Sequence, residues 1–520
     1  AQQFGATHLV SVSGDCPLIH PPFIQRGIAT ILQKNADHLY SDKSKYDCLH
    51  EGLGFFTTAS WQRLDQLSQT WFHKEHPGSV LADDMVRFEG VEIVPETAFQ
   101  RQDFRMSVDT LADLEFMNYV YSELENGEIV DLYDVVNLVD EKPHIKLLNA
   151  HVHQKSLTER NSTIAIITHA GKEVGLGHLA RCMALARELK ESQSQQVVFC
   201  INEDEIAINM LRESGFVFTT WNLQQNQDEI TETLFSPDAV SGIVLDVKGD
   251  KGIWLDHWLN ILQTIDLPKF MIDHVCAEKS TTSIIPTVLQ GDGQNDSALQ
   301  QKNVVSGKDY LLLNRKITFW RQNKEVEKSG ILVAAGGSGT CPGSLMRALY
   351  QVSEWHRIKF LVGPFADRSA LESQLQDLCF SNYDIIFNPP DPYKVYCESE
   401  LALSTFGVTA YELIALGIPT VVVQTLHDGD RNVVRYMAEN QVCIDALDRV
   451  STPSALAKQI LGFMQNPGQR NQLSERAKAW IDGRGAERVA KVIKSSLTRD
   501  HVYKPAILPS QRPETFGPSS

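Results

Sequence analysis

The chain has 520 residues, of which 42% are hydrophobic and 22% are charged, and its formal net charge is −17. This length exceeds what one hydrophobic core normally serves and predicts about three domains. The acidic balance argues against a nucleic-acid partner, because nucleic-acid binding needs a basic surface. No apolar run could span a bilayer and no signal-peptide pattern is present, so we expect a cytoplasmic protein with no membrane span. The nine cysteines include no CxxC pair, which argues against a disulfide framework or a zinc ribbon.

The first segment of the chain, residues 1–156, carries two aspartates where a metal ligand could stand. Asp15 follows the strand pattern Leu9–Ser13, and Asp109 follows a strand-like stretch, Phe104–Val108, at the start of a predicted helix. Carboxylates at the ends of strands can hold a ligand or a metal ion. For both residues, capping a turn or a helix is the structural alternative.

The motifs GDCPLIHPPFI and RMSVDTLADLEF of this segment resemble those of the sugar-nucleotide cytidylyltransferases, in the spore-coat and CMP-nonulosonate branch. The resemblance implies a Rossmann-like nucleotidyltransferase domain with CTP and an acidic sugar as substrates. It also implies that Asp15 and Asp109 bind Mg²⁺, a cation that prefers hard oxygen ligands. The family's glycine-rich CTP loop has no counterpart after Ala1, so we expect a truncated domain.

A polar linker, Lys155–Ser162, precedes two regions in which strand and helix patterns alternate, residues 162–305 and 310–498. Such alternation is typical of a parallel sheet with helices on both faces, so we expect an α/β protein with two Rossmann-like domains in tandem. Residues 499–520 are rich in Pro and Ser and predict a flexible tail. The strand patterns are Ile164–Thr168, Val197–Ile201, Phe216–Thr219, Ser241–Asp246 and Lys269–His274 in the first region, and Gly330–Ala335, Ile358–Gly363, Asp384–Phe387, Leu401–Leu403 and Pro419–Val423 in the second.

A glycine-rich turn joins a strand pattern to a helix pattern in the segment GKEVGLGHLARCMALA, which begins at Gly171. Glycine lets the backbone approach a ligand closely, and the N-terminus of the following helix favours an anion such as a pyrophosphate. Gly175 and Gly177 form this turn, and we expect His178 and Arg181 to face the anion. A histidine that only caps the helix is the structural alternative.

A second turn of this kind, in Ser404–Pro419, follows another strand pattern and opens another helix. Two such turns far apart in the chain predict two domains that face each other across a cleft. Asp246 and Asp273, which close strand patterns of the first region, could line that cleft near His178 or cap turns. Neither region has the G-x-G-x-x-G fingerprint with a following acidic residue, so no nicotinamide cofactor is expected.

The segments THAGKEVGLGHLARCMALA, ILVAAGGSG and STFGVTAYELIALGIPTVVVQTLHDGDRN resemble those of the UDP-2,4-diacetamido-2,4,6-trideoxyhexose hydrolases of pseudaminic acid synthesis, which are similar to the peptidoglycan N-acetylglucosaminyltransferases. The resemblance covers residues 162–498 and implies the glycosyltransferase-B arrangement. It also implies cofactor-free cleavage of the anomeric C–O bond of a UDP-sugar with inversion, in which His178 activates water and Glu412 holds the ribose hydroxyls. The residues that it implies to bind the substrate are Gly175, Gly177, Arg181, Gly337, Ser338, Gly339, Gly407, Thr409, Glu412 and Asn432.

Together, the two resemblances predict a bifunctional enzyme of nonulosonic acid biosynthesis, in which a UDP-sugar hydrolase is fused to a cytidylyltransferase unit. Two alternatives stay open. A UDP-sugar glycosyltransferase would use the same fold and the same nucleotide contacts. A non-catalytic fusion that binds a nucleotide sugar is the other alternative.

Overall fold

The computed structural model describes residues 1–42, 52–69, 73–74, 77–82, 88–153, 162–222, 240–249, 253–276, 280–289, 303–334, 341–425 and 429–500. The chain divides into two compact units, Ala1–Val152 and His153–Ser520, so the boundary lies close to the predicted one at residue 156. Most of the predicted tail, from residue 501 on, lies outside the described residues. Within the described parts of the chain, every helix is too short or too polar to cross a membrane.

The first unit has a mixed four-stranded sheet in the order β1-β3-β2-β4. Strand β3 pairs antiparallel with β1 and with β2, and β2 pairs parallel with β4. The sheet is therefore not all-parallel, although the unit combines strands and helices as an α/β domain. The strands are His8–Val12 (β1), His38–Tyr40 (β2), Leu53–Thr57 (β3) and Gly90–Glu92 (β4), and the helices are Pro21–Lys34, Thr58–Leu67, Leu111–Leu124 and Leu132–Glu141.

The predicted strand Phe104–Val108 of this unit is wrong. Phe104 and Met106 alternate with more exposed neighbours, as in a strand, but the segment has no pairing partner in the sheet. Its backbone is instead tied to the loop after β1, where the Val108 amide donates to the Asp15 carbonyl at 2.8 Å.

The first half of the second unit has a parallel seven-stranded sheet in the order β11-β10-β9-β8-β5-β6-β7. Along β5, Ile164 and Ile166 pack on one face of the sheet and Ala165 and Ile167 on the other, so both faces are covered by apolar cores. The strands are Thr163–Thr168 (β5), Gln196–Asn202 (β6), Val217–Trp221 (β7), Gly242–Asp246 (β8), Lys269–Ile272 (β9), Thr281–Ile285 (β10) and Val304–Ser306 (β11), and the helices include Gly177–Glu191, Glu205–Glu213 and Ile253–Leu262.

The second half repeats this plan with a parallel six-stranded sheet in the order β14-β13-β12-β15-β16-β17. Leu332 and Ala334 of β12 pack into one core, and Ile331 and Val333 pack into a second core on the opposite face. The strands are Ile331–Ala334 (β12), Ile358–Val362 (β13), Tyr383–Phe387 (β14), Leu401–Thr405 (β15), Thr420–Gln424 (β16) and Ile444–Asp445 (β17), and the helices are Gly343–Ser353, Arg368–Asp377, Pro392–Cys397, Val408–Leu416, Asp430–Glu439, Pro453–Met464 and Pro467–Trp480.

The last helix, Gly485–Asp500, corrects the predicted limits of the two halves. Val489 and Ile493 of this helix are fully buried in the core of the first half, against helix Gly177–Glu191. The helix therefore packs with the first half, although the sequence assigned it to the second half, 310–498. The order of the elements along the chain could not show that this helix packs against the first half, since any amphipathic helix could pack on either sheet. The two halves are two Rossmann-like domains with parallel sheets, as predicted.

Candidate functional site

Both sheets of the second unit reverse their strand order next to their first strand. The reversal lies between β5 and β8 in the first half and between β12 and β15 in the second. In open α/β sheets, ligands bind beside such a switch point, at the carboxyl ends of the strands. The two glycine-rich turns of the sequence follow β5 and β15, so each lies at the switch point of its half.

The turn after β5 is a closed loop whose ends are tied together. The Gly175 amide donates to the Gly171 carbonyl at 2.7 Å. Gly175 has φ +75°, a conformation that a residue with a Cβ rarely adopts. The Asn202 side chain holds the base of the loop, because it accepts from the Ala170 amide and donates to the Ala170 carbonyl, both at 2.8 Å. Helix Gly177–Glu191 then begins without a side-chain cap, so its first amides are open to an anion.

A cavity of about 410 Å³ lies between the two halves of the second unit. Gly175 and Gly177 line it from the first half, and Gly407, Thr409 and Glu412 line it from the second. Five of the residues that the sequence assigned to the substrate therefore meet in one cavity. The halves approach closely here, since a Cβ added to Gly177 would lie 3.8 Å from Cγ2 of Val408.

His178 belongs to a buried ion-pair network at the β5–β8 switch point. Its Nδ1 lies 2.7 Å from Oδ1 of Asp246, which is the last residue of β8 and has no exposed surface. Arg181 donates from Nε to Oδ2 of Asp246 at 2.7 Å, and its Nη1 lies 2.6 Å from Oδ2 of Asp273. Both aspartates thus lie beside His178, as the sequence suggested they could.

Asp246 is held as a carboxylate. Burial alone would raise the pKa of Asp246, but the Arg181 guanidinium and the His178 hydrogen bond hold that pKa well below its usual range. A carboxylate only accepts hydrogen bonds, so the contact with Asp246 favours the His178 tautomer that carries its hydrogen on Nδ1, although Nη2 of Arg181 also lies 3.1 Å from this atom. The Nε2 lone pair of His178 is then available to accept a proton.

Glu412 lies in the cavity on the first turns of helix Val408–Leu416. The Tyr393 hydroxyl donates to Oε1 of Glu412 at 2.8 Å, and the Tyr396 hydroxyl lies 3.5 Å from Oε2. Burial raises the pKa of Glu412 to about 7, against the two tyrosine hydrogen bonds, which lower it. The carboxylate is therefore oriented, yet retains acceptor capacity for a ligand hydroxyl.

Arg181 does not face the cavity as we expected. Its side chain is 14% exposed, and Asp246 and Asp273 together engage Nε, Nη1 and Nη2 of its guanidinium. The two carboxylates take three of the five N–H donors of this guanidinium and offset its charge, which makes Arg181 a poor ligand for a substrate phosphate. Arg181 is instead the counter-ion of the Asp246 carboxylate, which also binds His178.

The remaining predicted residues of the second unit stay predictions. Asn432 is exposed on the first turn of helix Asp430–Glu439 and is not among the residues that line the cavity. Gly337, Ser338 and Gly339 lie outside the described residues.

In the first unit, the segments that carry Asp15 and Asp109 lie side by side, because the Val108 amide binds the Asp15 carbonyl. The Asp109 carboxylate is paired with Arg105 and accepts from the Ser107 hydroxyl at 3.1 Å. Thr110, not Asp109, caps helix Leu111–Leu124. Within the described residues, no group of three potential side-chain ligands surrounds either aspartate.

Sequence reasoning did not single out His169, Asn202, Tyr393 or Tyr396, although all four support the site. His169 stands directly after the first strand and could have been found, because residues at that position lie at the switch point. The two tyrosines offered no signal, because their contact with Glu412 joins two elements through tertiary packing.

Comparison with known proteins supplies three similarities. The chain is 27% identical over 281 residues to the uncharacterized protein MJ1062 of Methanocaldococcus jannaschii, which covers 50% of this chain and 55% of that protein. It is 24% identical over 350 residues to the spore coat polysaccharide biosynthesis protein SpsG of Bacillus subtilis, which covers 64% of this chain and 97% of SpsG. The solved structure of MurG from Acinetobacter baumannii superposes with a TM-score of 0.44 at 15% identity, over 64% of this chain and 99% of MurG.

The chain thus spans a little over half the length of MJ1062, while it covers nearly all of SpsG. No known family profile matches the sequence.

Proposed function

We propose that the second unit, His153–Ser520, is a nucleotide-sugar enzyme that hydrolyses a UDP-linked diacetamido-trideoxyhexose to free sugar and UDP with inversion. The observation that carries this proposal is the histidine–carboxylate pair of His178 and Asp246 at the switch point of the first half. His178 directly follows Gly177, which lines the cavity, although His178 itself is not among the lining residues. The match with a spore coat polysaccharide biosynthesis protein along nearly its whole length supports a role in sugar metabolism.

The cavity has the features that a nucleoside diphosphate needs. Helices Gly177–Glu191 and Val408–Leu416 both begin at this cavity without side-chain caps, so their amides can hold a diphosphate. Glu412 can accept the two ribose hydroxyls, and Lys172 adds a positive charge at the first turn. A diphosphate held in this way is a good leaving group and needs little protonation.

In the proposed step, Nε2 of His178 takes a proton from a water molecule as the water oxygen bonds to C1 of the sugar. The C1–O bond to the β-phosphate breaks, and its electron pair leaves with UDP. Asp246 stabilises the imidazolium that forms, as the carboxylate of a catalytic triad does. Attack opposite the leaving group produces inversion at C1.

The test is UDP release from a panel of UDP-2,4-diacetamido-2,4,6-trideoxyhexoses in EDTA, with no acceptor, by the full chain and by its His178→Ala variant. We expect release by the full chain and a loss of about a hundredfold or more in the variant, with UDP still bound. UDP binding without release from any sugar would contradict hydrolysis and favour the glycosyltransferase alternative. Loss of UDP binding by the unmodified chain would contradict the nucleotide site itself.

For the first unit, we propose a cytidylyltransferase-type role, in which a hydroxyl oxygen of an acidic sugar bonds to the α-phosphate of CTP while the bond to the β-phosphate breaks and pyrophosphate leaves. The donor set suits Mg²⁺, since this ion takes one or two carboxylates and completes its shell with water and phosphate oxygens. Asp15 and Asp109 would hold it, and the metal would neutralise charge on the triphosphate. Pyrophosphate release from CTP and a nonulosonic acid, measured with Mg²⁺ and with EDTA, tests this role. Equal rates in both, or no effect of Asp109→Asn, would contradict it.

A further inference from the structure

His169 is a buried histidine that the proposed step does not use. It follows β5 directly and is 1% exposed. Neither ring nitrogen makes a hydrogen bond of acceptable geometry within the described residues, although the Asp246 backbone lies nearby. A buried imidazole with unsatisfied nitrogens costs free energy, so a residue of this kind calls for a compensating role.

The ring of His169 contacts two other rings. Its centroid is 4.8 Å from that of His178, with an interplanar angle of 33°. Trp254 of helix Ile253–Leu262 stacks on it at 5.7 Å and 22°. The stack therefore links the proposed base to the aromatic core beneath the sheet.

His169 is uncharged at physiological pH. Burial, followed by the nearby His178, lowers the pKa of His169 to about 4, while Asp246 raises it and Lys248 lowers it. A neutral ring places no second positive charge beside His178 when His178 accepts a proton.

The hydrogen bond to Asp246 fixes only one atom of the His178 ring. The torsion that turns a histidine ring is broad and roughly two-fold, so one hydrogen bond leaves the ring plane poorly defined. A flat partner against the ring face restricts this rotation. A well-defined plane matters because a small misplacement of a reacting group can cost a large factor in rate.

We propose that His169 is a positioning residue for His178: its flat, uncharged ring, backed by Trp254, holds the His178 ring with Nδ1 on Asp246 and Nε2 available to water. The kinetic consequence of this role rests on the proposed hydrolysis, but the effect on the His178 ring does not.

Two variants distinguish an effect of the flat shape of the His169 ring from an effect of its volume alone. His169→Phe keeps a flat ring and removes both nitrogens, whereas His169→Leu fills the buried space without a flat face. Both are apolar and suit the buried position, so both should fold. His257→Leu is the matched control, because His257 stacks on Trp221 at 6.3 Å in the same aromatic cluster and makes no described ring contact with His178.

The first readout is the ¹⁵N spectrum of histidine side chains in the full chain, with the His178 signals assigned from a His178→Asn sample. We expect a single Nδ1–H tautomer for His178 in the unmodified chain, in His169→Phe and in the control. In His169→Leu we expect mixed tautomers and a shifted titration midpoint of His178.

The second readout is kinetic. We expect His169→Leu to lower kcat for UDP release about tenfold with KM within about twofold, and His169→Phe to restore most of kcat. The proposal is overturned if His169→Leu leaves the His178 tautomer and titration unchanged, or if His169→Phe disturbs them as much as Leu does. If the unmodified chain releases no UDP, the hydrolysis fails, and the spectrum alone decides the role of His169.

Discussion

At the scale of single residues, the hydrogen bond to Asp246 orients the ring of the proposed base, His178. Asp246→Asn keeps the size of the side chain but removes the charge that stabilises the imidazolium of His178. We expect kcat for UDP release to fall about 10²- to 10⁴-fold, while the Kd for UDP, measured by calorimetry, changes little.

Asp273→Asn is the matched control for this change. Asp273 also pairs with Arg181, but it makes no described hydrogen bond with His178. We expect it to lower kcat far less than Asp246→Asn does. Equal losses in the two variants would mean that the ion pairs of Arg181, and not the histidine–carboxylate pair, limit the reaction.

We expect Glu412 to make nucleoside binding depend on pH. Its pKa of about 7 means that the carboxylate, which we propose accepts the ribose hydroxyls, becomes protonated as the pH falls through that value. Uridine isolates this effect, because it has no phosphate to titrate. We expect uridine to bind roughly tenfold more weakly at pH 6 than at pH 8, since the competent fraction falls by that factor. In Glu412→Gln, NMR titration should find weaker binding with no such pH dependence, and a dependence that persists would exclude Glu412 as its source.

We propose that Lys172, which lines the cavity, takes the part in anion binding that the sequence assigned to Arg181. Among the described residues that line the cavity, it is the single lysine or arginine. We expect Lys172→Ala to weaken UDP binding about fivefold at low salt and to leave uridine binding unchanged, because only UDP carries the diphosphate. Glu173→Ala, which removes a negative charge from the next residue, should not weaken UDP binding. A loss of uridine binding equal to that of UDP would assign Lys172 a structural role instead.

These residues mark what the sequence could predict of the site. Glycines and a histidine in a strand–turn–helix pattern are local signals, and five of the assigned residues do line one cavity. The sequence could not predict that Asp246 and Asp273 form ion pairs with Arg181, because these pairs depend on where β8 and β9 end relative to helix Gly177–Glu191. The tyrosines that hold Glu412 depend on tertiary packing in the same way.

At the scale of elements, a buried charge cluster joins the last helix to the first half. Arg315 donates from Nε to Glu188 at 2.6 Å and from Nη2 to Glu487 at 3.1 Å, and both carboxylates are largely buried. Arg315→Met would leave two buried carboxylates without this partner. Because breaking a buried pair costs about 3 kcal/mol, we expect the melting temperature of the second unit to fall by about 4 °C.

Arg368→Met is the control for this prediction in the same thermal scan. Arg368 pairs with Glu372 on an exposed helix face, and such pairs contribute less than about 0.5 kcal/mol. A similar fall in both variants would show that the cluster around Arg315 has no special role in holding the last helix.

The elements themselves were largely predictable where the pattern was strong. The central strands of both sheets lie within two residues of their predicted bounds, because buried parallel strands are continuous apolar runs. The edge strands β11 and β17 were missed because they are only three and two residues long, and the internal strand β10 was missed because its sequence, TTSII, lacks a continuous apolar run. The stretch Phe104–Val108 had the alternation of a strand but no partner to pair with.

At the scale of the whole molecule, the proposed hydrolysis depends on two Rossmann-like halves whose switch points meet at one cavity. Hydrolysis, glycosyl transfer and nucleotide binding alone can all use this architecture, so the fold does not decide among them. Hydrolysis joins C1 of the sugar to a water oxygen and glycosyl transfer joins it to an acceptor, whereas nucleotide binding alone breaks no bond.

The most direct measurement is the fate of labelled water. The full chain is incubated in H₂¹⁸O with a UDP-2,4-diacetamido-2,4,6-trideoxyhexose and no acceptor, and both products are analysed by mass spectrometry. We predict one ¹⁸O atom in the free sugar and none in UDP, with both products lost in His178→Ala, because water bonds to C1 and the C1–O bond breaks. Label in UDP would mean that a P–O bond breaks, and it would contradict the account, as would the absence of free sugar.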